Sequence, residues 1–231
     1  HMEEIHLPTG GPFGSTKIDI QYRKFLYKLF PKELHKLLDK CIHDMMEKFR
    51  KAKKTFDGKN EYHNVQLNSS FVIEGNDEMD DFMDLKYNDE HQKIQDEFYD
   101  DYNENDFLAY YITEMKHNYH NKVKLPSDDS TLQIHTSIWK SEFFDPIIDP
   151  TINIVKGLLH KLDTNNDNKT KHLLLAGGLS TSPYFKSKIT TIFGPGTQYN
   201  LGIHSSSSDI LLAVDGGVGM GLTFLEVQKY Q

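Results

Sequence analysis

The sequence predicts an α/β protein in which a helix-rich portion with a small sheet precedes a strand, glycine loop and helix unit. Three observations carry that expectation. Ile18, Tyr22, Phe25, Leu26 and Leu29 recur at the spacing of a helix with one buried face. His172 to Ala176 is a short leucine-rich run closed by Gly177 and Gly178 and followed by Pro183, the order of a buried strand, a turn and a helix start. Of the 231 residues 37% are hydrophobic, enough apolar material to bury a core in one large domain or two small ones.

Taken in order, Gly10, Gly11, Pro12 and Gly14 form a turn ahead of a helix over 18–30. A second helix from Leu34 carries Leu37, Leu38 and Cys41, and a third from His43 toward Lys54 turns Met45, Met46 and Phe49 inward, with the methionines as core filler. Asn64 to Ile73 alternates loosely through Val65, Leu67, Phe71, Val72 and Ile73 and predicts one or two short strands. A linker near residues 124–130 separates a helical and small-sheet portion, 3–130, from an α/β portion, 131–231. In the latter a helix from about Ser137 runs in broken form to Leu162, with Pro146 and Pro150 marking a kink or restart. A strand over Tyr199 to Ile203 and a glycine-spotted helix from Ile210 to Val227 complete the pattern.

Charge separates the regions further. Glu74 to Asp106 holds fourteen acids and two lysines, a net charge of −12. Phe82, Tyr87, Phe98, Tyr99 and Tyr102 are interleaved with these acids, and disordered tracts lack such anchors. Helices with a solvated acidic face are therefore expected over 74–106, with a docking surface for a basic protein partner as the alternative. The whole chain has 26 basic residues against 34 acidic ones, which leaves no global basic footprint for nucleic acid or an anionic membrane.

No run approaches the roughly 18 apolar residues of a spanning helix, and no signal-peptide pattern opens the chain. With Cys41 as the single cysteine, a cytoplasmic protein is expected. His1 and Met2 resemble the remnant of a cleaved expression tag.

Three segments have chemical potential. A strand that ends in two glycines before a helix lets backbone amides approach a ligand without Cβ obstruction, and the helix N-terminus adds partial positive charge. Gly177 and Gly178 meet that description, and Ser180, Thr181 and Ser182 either supply hydroxyls or cap the helix. Lys51, Lys53 and Lys54 form a basic cluster that reads either as a solvated helix end or as a nucleotide contact. The run from Asp163 to Asn168 imitates the start of a calcium loop but has asparagine where the tight turn needs glycine, and Leu174 where a glutamate is needed. His117 and His120 share a helical spacing without a third ligand, so no metal site and no catalytic residue is predicted.

Together these pieces resemble the nucleotide-binding domain of the 70-kDa heat-shock protein superfamily, and more closely its divergent type 12 branch. Four blocks coincide in order: GGPFGSTKID over 10–19 followed by a helix; the basic helix from Met45 to Phe56; MDDFMDLKY over 79–87; and Ile134 to Ile189, which joins a long helix to LLLAGGLSTSPY over 173–184. LAVDGGVGMGL over 212–222 resembles the family's closing Gly-Ala helix, whereas Asp96 to Ser130 looks like an insertion.

The resemblance implies the second lobe of an actin-like, ribonuclease-H-like ATPase fold, an adenosine-binding half-site for ATP or ADP. On it, Lys53 and Lys54 correspond to the adenosine-contacting helix and Asp57 to its final polar contact. Gly177, Gly178 and Ser180 correspond to the adenosine and phosphate loop, and Asp209 lies near a late acid on the ribose side. Two positions depart from the family pattern: Arg50 stands in place of a glutamate, and Thr181 in place of an arginine that packs on adenine.

The two upstream phosphate loops on which the family's magnesium-dependent hydrolysis rests are not among these residues. The expectation is an ATP-binding half-site of a chaperone-type ATPase that does not hydrolyse alone, with an interaction module as the rival reading and a sugar or acetate kinase half as a weaker third. Self-association through an incomplete sheet is expected as well.

Overall fold

The computed structural model describes residues 11, 13–86, 107–112, 119, 121–126, 130–165 and 170–205. The later half of the acidic segment, His117, His120, Asn168, Asp209 and the helix expected over 210–227 lie outside the described residues. The fold is mixed α/β and helix-rich, with small sheets. No helix of the described residues is long and apolar enough to cross a membrane.

The chain divides into two compact units: His1–Ile18 with Lys54–Asp57 and Phe144–Gln231, and Asp19–Lys53 with Gly58–Phe143. Two helices contribute residues to both. Helix α1, Ser15–Leu29, buries Ile18, Tyr22, Phe25, Leu26 and Leu29, as the periodicity predicts. Helix α2 is one continuous element, His35–Thr55, where two helices were expected. Cys41, Ile42 and His43 include no glycine or proline, so nothing interrupts the hydrogen-bond ladder there.

In the unit of residues 19–53 and 58–143, strand β1 is Tyr62–Gln66 and helix α3 is Ser69–Lys86. Phe71, Val72 and Ile73, read as strand, belong to α3, which Asn68 opens by accepting the Phe71 amide at 3.2 Å. Strands β2, Val123–Lys124, and β3, Thr131–His135, complete an antiparallel sheet of order β1-β3-β2. Tyr62 faces His135 and Gln66 faces Thr131 in register. The expected linker thus borders two sheet strands, and β3 shows the alternation that should have revealed it: Leu132 and Ile134 are buried, Thr131, Gln133 and His135 are not.

The core of this unit is aromatic. Tyr22 stacks on Phe49 with centroids 3.9 Å apart and an interplanar angle of 3°. Trp139 stacks on the same Phe49 at 5.3 Å, while Phe143 meets Tyr22, Phe25 and Phe49 edge-on. Trp139 and Phe143 come from a π-helical stretch, Trp139–Phe144, entered through a short turn, Thr136–Ile138.

The other unit begins its long helix α4, Asp145–Asn165, directly after that stretch. Pro146 lies in the first turn, where no helical amide is required, so only Pro150 removes a bond from the interior. Strands β4, His172–Leu175, and β5, Gly202–Ser205, pair in parallel, with His172 opposite Gly202 and Leu175 opposite Ser205. Helix α5, Pro183–Phe193, joins them and buries Phe185, Ile189 and Phe193. Strand β4 and the start of α5 fall where the sequence placed them, whereas β5 begins three residues later than expected.

Tyr22 presents an anomaly: its hydroxyl is buried and has no hydrogen-bond partner among the described residues. Burial holds its phenol protonated far above the ordinary 10.0, and burial with the nearby Glu142 pushes Tyr119 up to about 12. Above pH 10 the folded chain therefore keeps protons that the unfolded chain releases; stability is full below that pH and falls as it rises further. Tyr22→Phe should leave the urea midpoint unchanged or raise stability by about 1 kcal/mol, and should flatten the alkaline fall. Phe49→Ala should cost about 3–5 kcal/mol. A clear loss of stability in Tyr22→Phe at pH 7 would show that the hydroxyl is satisfied.

Candidate nucleotide site

The chain leaves β4 at Leu175 and turns at Gly177, whose φ of +88° lies in the left-handed region that L side chains rarely adopt. The Ser180 amide and hydroxyl both donate to the Gly177 carbonyl, at 2.9 and 2.7 Å. The Thr181 hydroxyl donates to the Gly178 carbonyl at 3.0 Å. Ser182 then caps α5, accepting the Phe185 amide at 3.3 Å, and Pro183 opens the helix. Ser180 is almost fully buried, so its hydroxyl builds the loop and is turned away from solvent. Gly178 and Thr181 are exposed.

A second glycine loop lies against the first. Phe13 donates its amide to Gly11, Lys17 donates to Gly14, and α1 starts at Ser15. A Cβ placed on Gly178 would stand 3.7 Å from the Ser15 Cβ, while one on Gly177 would meet nothing within 4 Å. The start of α1 and the Gly177–Gly178 turn are therefore neighbours within one unit. Ser15 was not among the residues expected at the site; the glycine-serine pair ahead of a helix was the available signal.

The third segment, Lys54 to Asp57, is fixed to the same loop by its middle. Phe56 is buried against Phe144 and Tyr184, with centroids 4.7 and 5.1 Å away, and its carbonyl accepts the Tyr184 amide at 3.2 Å. Lys54 is exposed and Asp57 half-exposed on either side of this anchor. Helix α5 is in turn held to α4 by polar contacts. The Tyr184 hydroxyl donates to Asp145 Oδ1 at 2.8 Å, and Lys188 Nζ reaches Asp145 and Asp149 at 2.6 Å each. Burial, with Asp145 adding to it, keeps the Tyr184 phenol protonated well above its ordinary range. For Lys188 burial works against the charge, but the two carboxylates outweigh it and raise the pKa.

Lys53 is placed differently from Lys54. It belongs to the other unit, is buried, and its ammonium donates to Asp19. Arg50 Nε holds the second carboxylate oxygen of Asp19 at 3.1 Å. Consecutive helical residues point about 100° apart, so a lysine pair in sequence is not a pair on one surface. Lys54, Asp57, Gly177, Gly178, Ser180 and Thr181 thus lie in one unit, Lys53 does not, and Arg50 is tied to Asp19.

No group of three or more His, Cys, Asp or Glu side chains suited to a metal ion is present among the described residues. No protein-family model, curated protein or solved structure matches the chain.

Asp19 is the buried counter-charge of Lys53, and removing one partner of such a pair strands the other in a dry environment. Asp19→Ala should cost about 3 kcal/mol in chemical unfolding, and the double variant Asp19→Leu with Lys53→Met should recover most of it. Additive losses in the double variant would contradict the pairing.

Proposed function

We propose that the chain forms the adenosine-nucleotide half-site of a heat-shock-70-like ATPase domain, the second lobe of an actin-like fold, and that it binds ATP or ADP without hydrolysing it by itself. The observation that supports this most is the neighbourhood of the two glycine loops, Gly11 to Ser15 and Gly177 to Ser182, each leading into a helix N-terminus. At α5 the first amides are used within the chain, since Pro183 has none and Tyr184 and Phe185 donate to the Phe56 carbonyl and the Ser182 hydroxyl, so the surface open to a ligand is the main chain at exposed Gly178, where the missing side chain leaves room for a ribose or phosphate to approach.

The residues fit a nucleotide in part. Gly178 and Gly177 offer an open backbone surface, exposed Thr181 stands at its edge with its hydroxyl donated to the Gly178 carbonyl, and exposed Lys54 offers a cation a short distance along the chain from the Phe56 anchor. Lys53 and Ser180 are structural on this reading: one neutralises Asp19, the other closes the Gly177 turn. Phosphoryl transfer needs carboxylates and cations arranged around the γ-phosphate, and the loops that supply them in the resembled family are not part of this sequence.

A second reading, a docking module for a basic partner, is favoured by the surface of α3. Ile73 is 64% exposed there, beside the exposed acids Glu74, Asp77 and Glu78. Such a surface would serve the intact protein without any nucleotide.

Calorimetry with ADP decides between them. Wild-type chain should bind weakly, Gly178→Val should lose at least tenfold in affinity while keeping the wild-type circular dichroism, and Lys54→Ala should lose a smaller factor. Unchanged ADP affinity in folded Gly178→Val would remove the loop from the site. Turnover of ATP by the purified chain that vanishes on Lys54→Ala would overturn the claim that it does not hydrolyse.

A further inference from the structure

The rings of His172 on β4 and His204 on β5 are hydrogen-bonded to each other, Nδ1 to Nε2 at 3.0 Å. The two residues are not directly opposed: His172 faces Gly202, and His204 faces Leu174. Residues offset by two on adjacent strands lie about 8 Å apart at the backbone, from a strand spacing of about 4.8 Å and a rise of about 3.3 Å per residue. They meet because the position between them is glycine. A Cβ on Gly202 would stand 2.7 Å from His172 Nδ1 and 3.1 Å from His204 Nε2. His172, Gly202 and His204 share one face of the sheet, since parallel partners and alternate residues project to the same side.

We propose that His172 and His204 form a bidentate site for a borderline divalent transition-metal ion of the zinc, nickel or copper class, with water in the remaining positions. The donor chemistry fits such ions, which favour imidazole nitrogen. Metal–nitrogen bonds of about 2.1 Å to two nitrogens 3.0 Å apart subtend about 90° at the metal, and opening the pair by about 0.4 Å reaches the tetrahedral angle. Ion binding replaces the His172–His204 hydrogen bond: the proton between the rings moves to the other nitrogen of its own imidazole or to water, and both lone pairs turn to the ion on the side where His204 is exposed. The site is independent of the nucleotide reading.

Gly202 gives the test its specificity, because Gly202→Ala leaves both imidazoles in the chain while displacing His172 from the space it uses. Zinc chloride is titrated calorimetrically into the full chain, into His204→Gln, His172→Gln and Gly202→Ala, and into His43→Gln as a control, with circular dichroism confirming each fold. The chain has 12 histidines, so the comparison among variants locates the site where stoichiometry cannot. Loss of one of two linked ligands should weaken the tightest zinc equivalent by about a hundredfold. The same loss in Gly202→Ala, with His43→Gln unaffected, supports the pair as the site. Equal zinc affinity in wild type and His204→Gln, or loss in the two histidine variants without loss in Gly202→Ala, overturns it.

Discussion

At Gly177 the chain leaves β4, which is buried on one face, with a backbone conformation that a side-chain-bearing residue adopts only at a cost of about 1 kcal/mol or more. Everything described for the candidate site follows from that turn. It directs Ser180 back to close the loop with two bonds to one carbonyl, exposes Gly178 beside Ser15, and delivers Ser182 to the cap position of α5. With α5 started there, Tyr184 reaches the Phe56 carbonyl and Asp145, so the Lys54 to Asp57 segment is set by the same turn. The loop is anchored on its α5 side by Tyr184 against Phe56 and Phe144, and its polar side chains, Ser180, Thr181 and Ser182, bond to its own and the adjoining backbone.

The charges on α1 and α2 obey a different constraint. Asp19 and Lys53 are buried, and burial of either alone would be costly; together, and with Arg50 on the second oxygen, they neutralise each other. This assigns the departure at Arg50 a structural part. The arginine that stands where the resembled family has a nucleotide-contacting glutamate is bound to Asp19 within its own unit. A proposed half-site that relies on backbone and on Lys54 is consistent with that expenditure of the other two cations.

How much of this was legible in the sequence depended on whether a single residue type had one physical use. The α1 periodicity, the leucine strand β4, and the proline after a serine cap were readable, because burial, strand length and capping each leave a local signature. The continuity of α2 was missed by dividing a long helix where no breaker stands. Strand β3 was missed because Thr131 to His135 lay next to a polar stretch taken as linker, although its alternation was present.

At the site, the glycines and Thr181 were placed by local pattern. The fates of Lys53 and Ser180 were not, since an ion pair with Asp19 and the inward rotation of a hydroxyl depend on residues far away in sequence or on loop geometry. Ser15 next to Gly178 is likewise a tertiary fact. The positive φ belongs to Gly177, and the exposed backbone beside Ser15 to Gly178. One turn is involved in both cases, but the conformational demand and the exposed face fall on different glycines.

The most direct measurement is a map of amide chemical-shift changes in the folded chain on titration with ADP. The account predicts saturable shifts concentrated at Ser15, Gly177, Gly178 and Thr181, extending to Lys54 and Asp57, with Lys53 and Arg50 little affected. Shifts centred on α3, or saturable shifts that bypass both glycine loops, would contradict it.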